Sequence, residues 1–359
     1  MVATQRVPVN AMDPREPLLD VSRSPNRLLR HVRFSWLLAI GAAMCLAVVT
    51  TVFLLKPTNV PFANITLECT PQPATACIYQ AKLRGYFAAE GINIRINDYS
   101  TGRQAMSNMI EKGSEYAICA DTPFTRAYSQ AAPVTAIAQI GDVSNFAKLL
   151  GRRDHGITEH TNSLMGHRIG VTRGTNAEYI VYSTCLLFDV PQDQITIVDL
   201  QPDELETALV NGSVDAVSMW EPFASRTSTL LGSQAVQVKL SDFNRSMWLL
   251  TANSNKRNPR CEQAILRALI RATADLTSDR ERWLEPLARE MSRTTDELRR
   301  DLQQSRLGIT LDQSALLQLE AQRRWLNLGG PEIFDGLSPH ALSEVDRDSV
   351  SLIHPEVTR

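Results

Sequence analysis

From Thr66 onward, hydrophobic and polar positions fall into short β-rich runs that alternate with stretches of helical periodicity. This alternation predicts α/β units built around mostly parallel sheets. The runs 65–69, 92–98, 116–120, 135–140, 167–171, 195–198, 214–219 and 247–252 read as strands. Between them lie helices such as 101–111, which places Ala105, Met106, Met109 and Ile110 on one side and ends at Gly113, a residue suited to a left-handed cap. From Pro259 the pattern changes, and the segments 259–277, 279–291, 295–304 and 312–328 carry helical periodicity with few strand signals. Asp312-Gln313-Ser314 reads as the cap of the last of these, which is expected to bury Leu316, Leu317, Leu319 and Trp325.

One run follows neither period. Residues 34–55, about 22 in number, carry no charge. At 1.5 Å per residue they are long enough to cross a ~30 Å hydrocarbon core as a helix. Arg23, Arg27, Arg30, His31 and Arg33 precede the run and only Lys56 follows it. The positive-inside bias therefore puts residues 1–33 in the cytoplasm as a Pro-containing tail, and everything after residue 55 outside. The competing reading is a cleaved signal peptide, whose apolar region is typically ~7–15 residues with a small-x-small site close behind. Here the run is longer, and Lys56-Pro57-Thr58-Asn59 follows it.

The 359 residues are 43% hydrophobic and 21% charged, the mixture of a globular chain with a sizeable core. A net charge of -2, with both signs interspersed, supplies no basic field and excludes nucleic acid as an expected partner. Of six cysteines, Cys45 lies in the apolar run, which leaves Cys69, Cys77, Cys119, Cys185 and Cys261 facing an oxidising compartment. Cys69 and Cys77 either close a short loop as a disulfide or stand as small buried residues. His155, His160 and His167 lack the paired spacing of a closed metal site and read as surface residues, so no metal or cofactor is expected.

Three polar segments each follow a predicted strand: Asp121-Thr122-Pro123, Gly174-Thr175-Asn176-Ala177 and Trp220-Glu221-Pro222-Phe223. In open α/β sheets the carboxyl ends of strands are where ligands bind, beside the free amides of helix N-termini. Gly174 permits close backbone approach, Thr175 and Asn176 offer a hydroxyl and an amide, and Trp220 offers a wide rigid face. Each also has a purely structural role open to it, as a helix cap, a turn or a core residue.

Together with their neighbours these segments resemble the periplasmic substrate-binding proteins of nitrate, aliphatic sulfonate, taurine and thiamine-precursor ABC transporters. The resemblance also rests on the stretch from Ala81 through Gly85-Tyr86-Phe87 to Glu90-Gly91-Ile92, and on Tyr99-Ser100-Thr101-Gly102. Met165-Gly166-His167-Arg168-Ile169-Gly170-Val171 and Asn211-Gly212-Ser213-Val214-Asp215-Ala216 complete it. It implies a two-lobed type II periplasmic-binding-protein fold with a hinge, preceded by the single membrane helix. Lobe one would comprise residues 60–150 and 245–359, and lobe two residues 154–240. By matching positions the cleft would be lined by Thr101, Gly102, Asp121, Thr122, Arg173, Gly174, Thr175, Asn176, Trp220 and Glu221. Arg173 would be the natural partner of an anionic group, with Arg103 as a second candidate.

The implied function is capture of a small anionic or polar solute outside the membrane for the permease and ATPase of an ABC transporter. Usual members are soluble or lipid-held, so the predicted anchor also admits a ligand sensor or regulatory receptor. Relatives of this fold include a pyrimidine synthase and a sulfinate desulfinase. Here no His occurs between Arg33 and His155 to serve a cleft thiolate as base, and the chain is not expected to be an enzyme.

Overall fold

The computed structural model describes residues 61–240, 244–310 and 313–327, with Met44 before them. The chain divides into two compact units, 1–58 and 59–359. The tail 1–33 and the run 34–55 belong to the first and, apart from Met44, lie outside the described residues. Among the described residues no helix is long and apolar enough to cross a membrane.

In the second unit the chain runs β1 (Ala63–Cys69), α1 (Ala76–Leu83), α2 (Tyr86–Ala89), β2 (Ile92–Asp98), α3 (Gly102–Lys112), β3 (Tyr116–Ala120), α4 (Asp121–Ser129) and β4 (Val134–Ser144). It continues through β5 (Ala147–Arg152), β6 (Arg168–Val171), α5 (Asn176–Leu187), β7 (Thr196–Asp199), α6 (Pro202–Val210), β8 (Ala216–Trp220), α7 (Phe223–Leu231) and β9 (Ala235–Val238). It closes with β10 (Arg245–Asn253), α8 (Pro259–Ser278), α9 (Arg280–Glu290), α10 (Thr295–Gln303), β11 (Ser305–Thr310) and α11 (Gln313–Asn327).

Two sheets result, one in the order β11-β4-β10-β3-β1-β2 and one in the order β7-β6-β8-β5-β9. Both are mixed rather than mostly parallel. β1 runs parallel to β2 and β3, and β6 to β7 and β8, whereas the strands flanking the two crossovers, β4, β5, β9 and β10, pair antiparallel. The chain passes between sheets at Asn145–Phe146, so residues 147–150, assigned above to lobe one, pair with β8 and β9 of the second sheet. The composition of β5, Ala-Lys-Leu-Leu-Gly-Arg, lacks the β-branched residues that mark a strand, and β9 and β11 escaped for similar reasons of shortness or mixed composition.

The first sheet is covered by α1, α8 and α9, where Leu250, Ile265, Leu269 and Leu287 are fully buried in one cluster. On its other face α3, α4 and α11 pack Met106, Met109, Phe124, Leu316 and Leu319. The face of α11 differs from the expected one. Leu317 is 66% exposed and Trp325 half-buried, because Ala315, Leu316, Leu319 and Gln322 take the inward positions. All five described cysteines are free and buried, so Cys69 and Cys77 do not pair. Burial pushes both thiols up to about 12, where they are unreactive at neutral pH.

The two crossovers are clasped at one residue. Asn244 donates from Nδ2 to the carbonyl of Ala147 (2.7 Å) and accepts at Oδ1 from the Ala147 amide (3.1 Å). Its own carbonyl accepts from the amide of Asn145 at 2.6 Å. Truncation in Asn244→Ala strands two buried backbone groups and should cost about 2–3 kcal/mol in urea unfolding. A loss below about 0.5 kcal/mol would show that the clasp is dispensable.

Candidate functional site

Four strand ends deliver the site. After β2, Thr101 caps α3 by accepting the Gln104 amide at 3.1 Å, and Gly102 packs its α-carbon against the end of β3. A side chain at Gly102 would meet the backbone of Cys119 and Ala120 at 3.0 Å, a tight approach that glycine avoids. β3 passes directly into α4 at Asp121. β6 passes through Thr172-Arg173-Gly174-Thr175 into α5 at Asn176, and β8 through Trp220-Glu221 into α7.

These ends line a cleft of ≈ 310 Å³, open to solvent, to which both sheets contribute: Thr101, Gly102, Arg103 and Trp248 from one side, Thr175, Asn176 and Trp220 from the other, with Phe146 at the crossover. A second compartment of ≈ 330 Å³ shares Gln72, Phe146 and Trp220 with it and carries Glu221 and Asp301. Phe146 and Trp220 stack at 5.8 Å between ring centroids and form a wall common to both. Trp220 Nε1, Trp248 Nε1 and Asn176 Oδ1 are buried without a hydrogen-bond partner.

Five of the ten expected residues, Thr101, Gly102, Thr175, Asn176 and Trp220, therefore line the cavity, and Glu221 lines its extension. The other four lie behind or beside it. Thr122 is fully buried. Gly174 adopts φ +74° and donates its amide to Glu178 Oε2 at 2.7 Å. A side chain there would press on Arg103 and Arg126 of the opposite lobe. Arg173 turns out of the cleft, pairs with Glu178 at 3.3 Å, and lines a separate recess with Tyr182 and Trp325. The guanidinium lining the cavity is Arg103, which donates to the Arg173 carbonyl at 2.7 Å and so spans the lobes.

Asp121 is 0% exposed. Its Oδ1 accepts from Asn176 Nδ2, and its Oδ2 from Gln318 Nε2 and from Gln322 Nε2 (2.8 Å). It thus joins lobe one, lobe two and α11 through three neutral carboxamides rather than a cation. Burial pushes its carboxyl up to about 6, against the hydrogen bonds from Asn176, Gln322 and Gln318, which favour the charged form. Sequence reasoning missed Gln72, Phe146, Trp248, Asp301, Gln318 and Gln322. The carboxamides at 318 and 322 carried a usable signal, since two glutamines four apart on the apolar side of a helix require a buried partner.

Two α/β sheets joined by two crossovers, with a cavity between their strand ends, define a two-lobed periplasmic-binding-protein fold. The alkanesulfonate-binding protein SsuA from Xanthomonas axonopodis pv. citri, bound to MOPS, has this fold, with a TM-score of 0.64 and 16% identity over 79% of this chain and 98% of that one. A mutant of DSZB in complex with biphenyl-2-sulfinic acid has it too, with a TM-score of 0.59 and 16% identity over 82% of this chain and 99% of that one. In sequence, residues 72–282 match the NMT1/THI5-like family, and the chain belongs to it. A Bacillus subtilis (strain 168) protein assigned to aliphatic sulfonate binding is 26% identical over 149 residues, 40% of this chain. That match spans 45% of the length of this curated relative.

The raised Asp121 fixes a pH dependence. The folded chain holds this proton more tightly than the unfolded one, for which the ordinary value is 3.8. The resulting stability is fully present below about pH 4 and lost as pH rises through about 6. Between pH 4 and 8 the wild type should lose up to about 3 kcal/mol relative to Asp121→Asn in chemical unfolding. Parallel pH profiles for the two proteins would refute the assignment.

Proposed function

We propose that this chain is an extracytoplasmic solute-binding protein that captures a small polar or anionic solute by closure of its two lobes and passes it to the permease and ATPase of an ABC transporter. The observation that supports it best is the inter-lobe cavity with its unpartnered indole donors, Trp220 Nε1 and Trp248 Nε1. A buried polar group left unpaired costs about 1–3 kcal/mol, which an acceptor on a bound solute removes. Arg103 and the N-terminal turns of α3 and α5 bring positive potential to the same place. A short sulfonate, taurine, nitrate or a pyrimidine-like ring are the solutes that this reading admits.

In this reading Thr101, Gly102, Thr175, Asn176 and Trp220 touch the solute, Glu221 faces its far end, and Asp121, Thr122, Arg173 and Gly174 hold the walls. Residues 34–55 act as a retained anchor with 1–33 in the cytoplasm, which keeps the binding lobes close to their permease. Turnover forms no part of the reading, because burial pushes the Cys69 and Cys119 thiols up and away from the reactive thiolate.

Thermal unfolding of the full chain in detergent, screened against taurine, alkanesulfonates, nitrate, bicarbonate, amino acids and pyrimidines, tests this. A true ligand at ~100 times its dissociation constant adds about 2.7 kcal/mol of stability. Trp220→Ala should abolish the gain. A panel without any stabilising compound would turn the reading towards a protein partner.

A further inference from the structure

The hydrogen-bonding inventory of the cleft narrows the chemistry of its solute. Asn176 is 1% exposed and lines the cavity. Which way its carboxamide faces is set from behind. An ionised carboxylate only accepts hydrogen bonds, so an amide meeting Asp121 turns its NH2 towards it. Asp121 is itself held in place, because Gln318 and Gln322 reach its other oxygen from α11. Gln322 is 0% exposed.

The consequence falls on the other arm of the amide. With Nδ2 committed to Asp121, Asn176 keeps a carbonyl oxygen, Oδ1, that is buried and unpaired. Asn176, Trp220 and Trp248 all line the cavity, and each carries a buried side-chain polar atom without a protein partner, one acceptor and two donors in all. Further along, Glu221 and Asp301 add carboxylate oxygens from either lobe. Asp301 is shared with Arg293 at 2.7 Å, and Glu221 Oε2 accepts the Ser225 amide at 3.1 Å.

We propose that the solute presents an N–H or O–H donor to Asn176 Oδ1 together with an acceptor group for the two indoles, so that amino- or hydroxyl-bearing solutes are selected over all-acceptor anions of equal size. The proposal rests on the solute-capture reading and makes Asn176 the specificity-determining residue and Asp121 its positioning residue. An anion made only of acceptors leaves Oδ1 unpaired and sets its own lone pairs against it. A donor removes both penalties. Sites built to hydrogen-bond a polar group reject analogues lacking that group far more strongly than apolar pockets reject a missing methylene.

Isothermal titration of the full chain at pH 8 with isosteric pairs is the test: taurine against propane-1-sulfonate, and 4-aminopyrimidine against 4-methylpyrimidine. The donor-bearing member of the preferred pair should bind at least ~10-fold tighter. The ratio between pair members, rather than affinity itself, should shrink in Asp121→Asn, where the Asn176 amide is free to turn. In Asn176→Leu, which leaves the α11 contacts of Asp121 in place, the ratio should approach one. That second variant carries the test even where the first fails to fold. Equal or tighter binding of the donor-lacking members would overturn the proposal while leaving solute capture intact, as would a ratio unchanged in Asn176→Leu. Absence of binding by all four compounds and by the wider panel would remove the capture reading and this inference with it.

Discussion

Taking a carboxylate out of water leaves its lone pairs in need of donors, and at Asp121 those donors come from three parts of the molecule. Asn176 arrives from the second sheet and Gln318 and Gln322 from α11, and none brings a charge. Because all three are neutral, the carboxyl is held by geometry more than by Coulomb attraction, and it remains near the edge of protonation. The relative position of the lobes, the orientation of the Asn176 amide and the docking of α11 are therefore tied to one another through a single side chain.

Around that point the fold separates support from contact. Asn244 clasps the crossovers through the two backbone groups of Ala147. Arg103 bridges to the Arg173 carbonyl, and Gly174 allows the opposing loops to approach. What is left lining the cavity is small and chemically sparse: an aromatic wall with Trp248, the Asn176 and Thr175 side chains, Arg103 and helix N-termini. Water exclusion from such a space strengthens each polar contact made inside it.

Much of this architecture was legible in the chain before any coordinates. The strands at 92–98 and 116–120 coincide with β2 and β3, and the helix predicted over 101–111 with α3 and its Thr101 and Gly113 caps, because β2 alternates in burial, α3 buries one side and β3 is a short, continuously buried apolar run. β5 and β9 were not legible, since their strand state is imposed by pairing with β8 and with each other rather than by local preference. At the site, loop position and residue type pointed to Thr175, Asn176 and Trp220 and the family resemblance to Thr101 and Gly102, all of which line the cavity. They could not show that Arg173 prefers Glu178, or that Asp121 faces α11, since those choices depend on neighbours up to 201 residues distant in sequence.

The docking of α11 also bears on how the site is completed. Its Trp325 lies against Tyr179 (5.2 Å) and Tyr182 (5.6 Å) of the second lobe, while its apolar side packs with Phe124 and Ala127 of the first. Without this helix Asp121 would keep Asn176 but lose the two carboxamides that hold its other oxygen. Both sheets are complete in sequence before α11 begins, so the anchoring of the Asn176 amide depends on a helix that neither sheet contains.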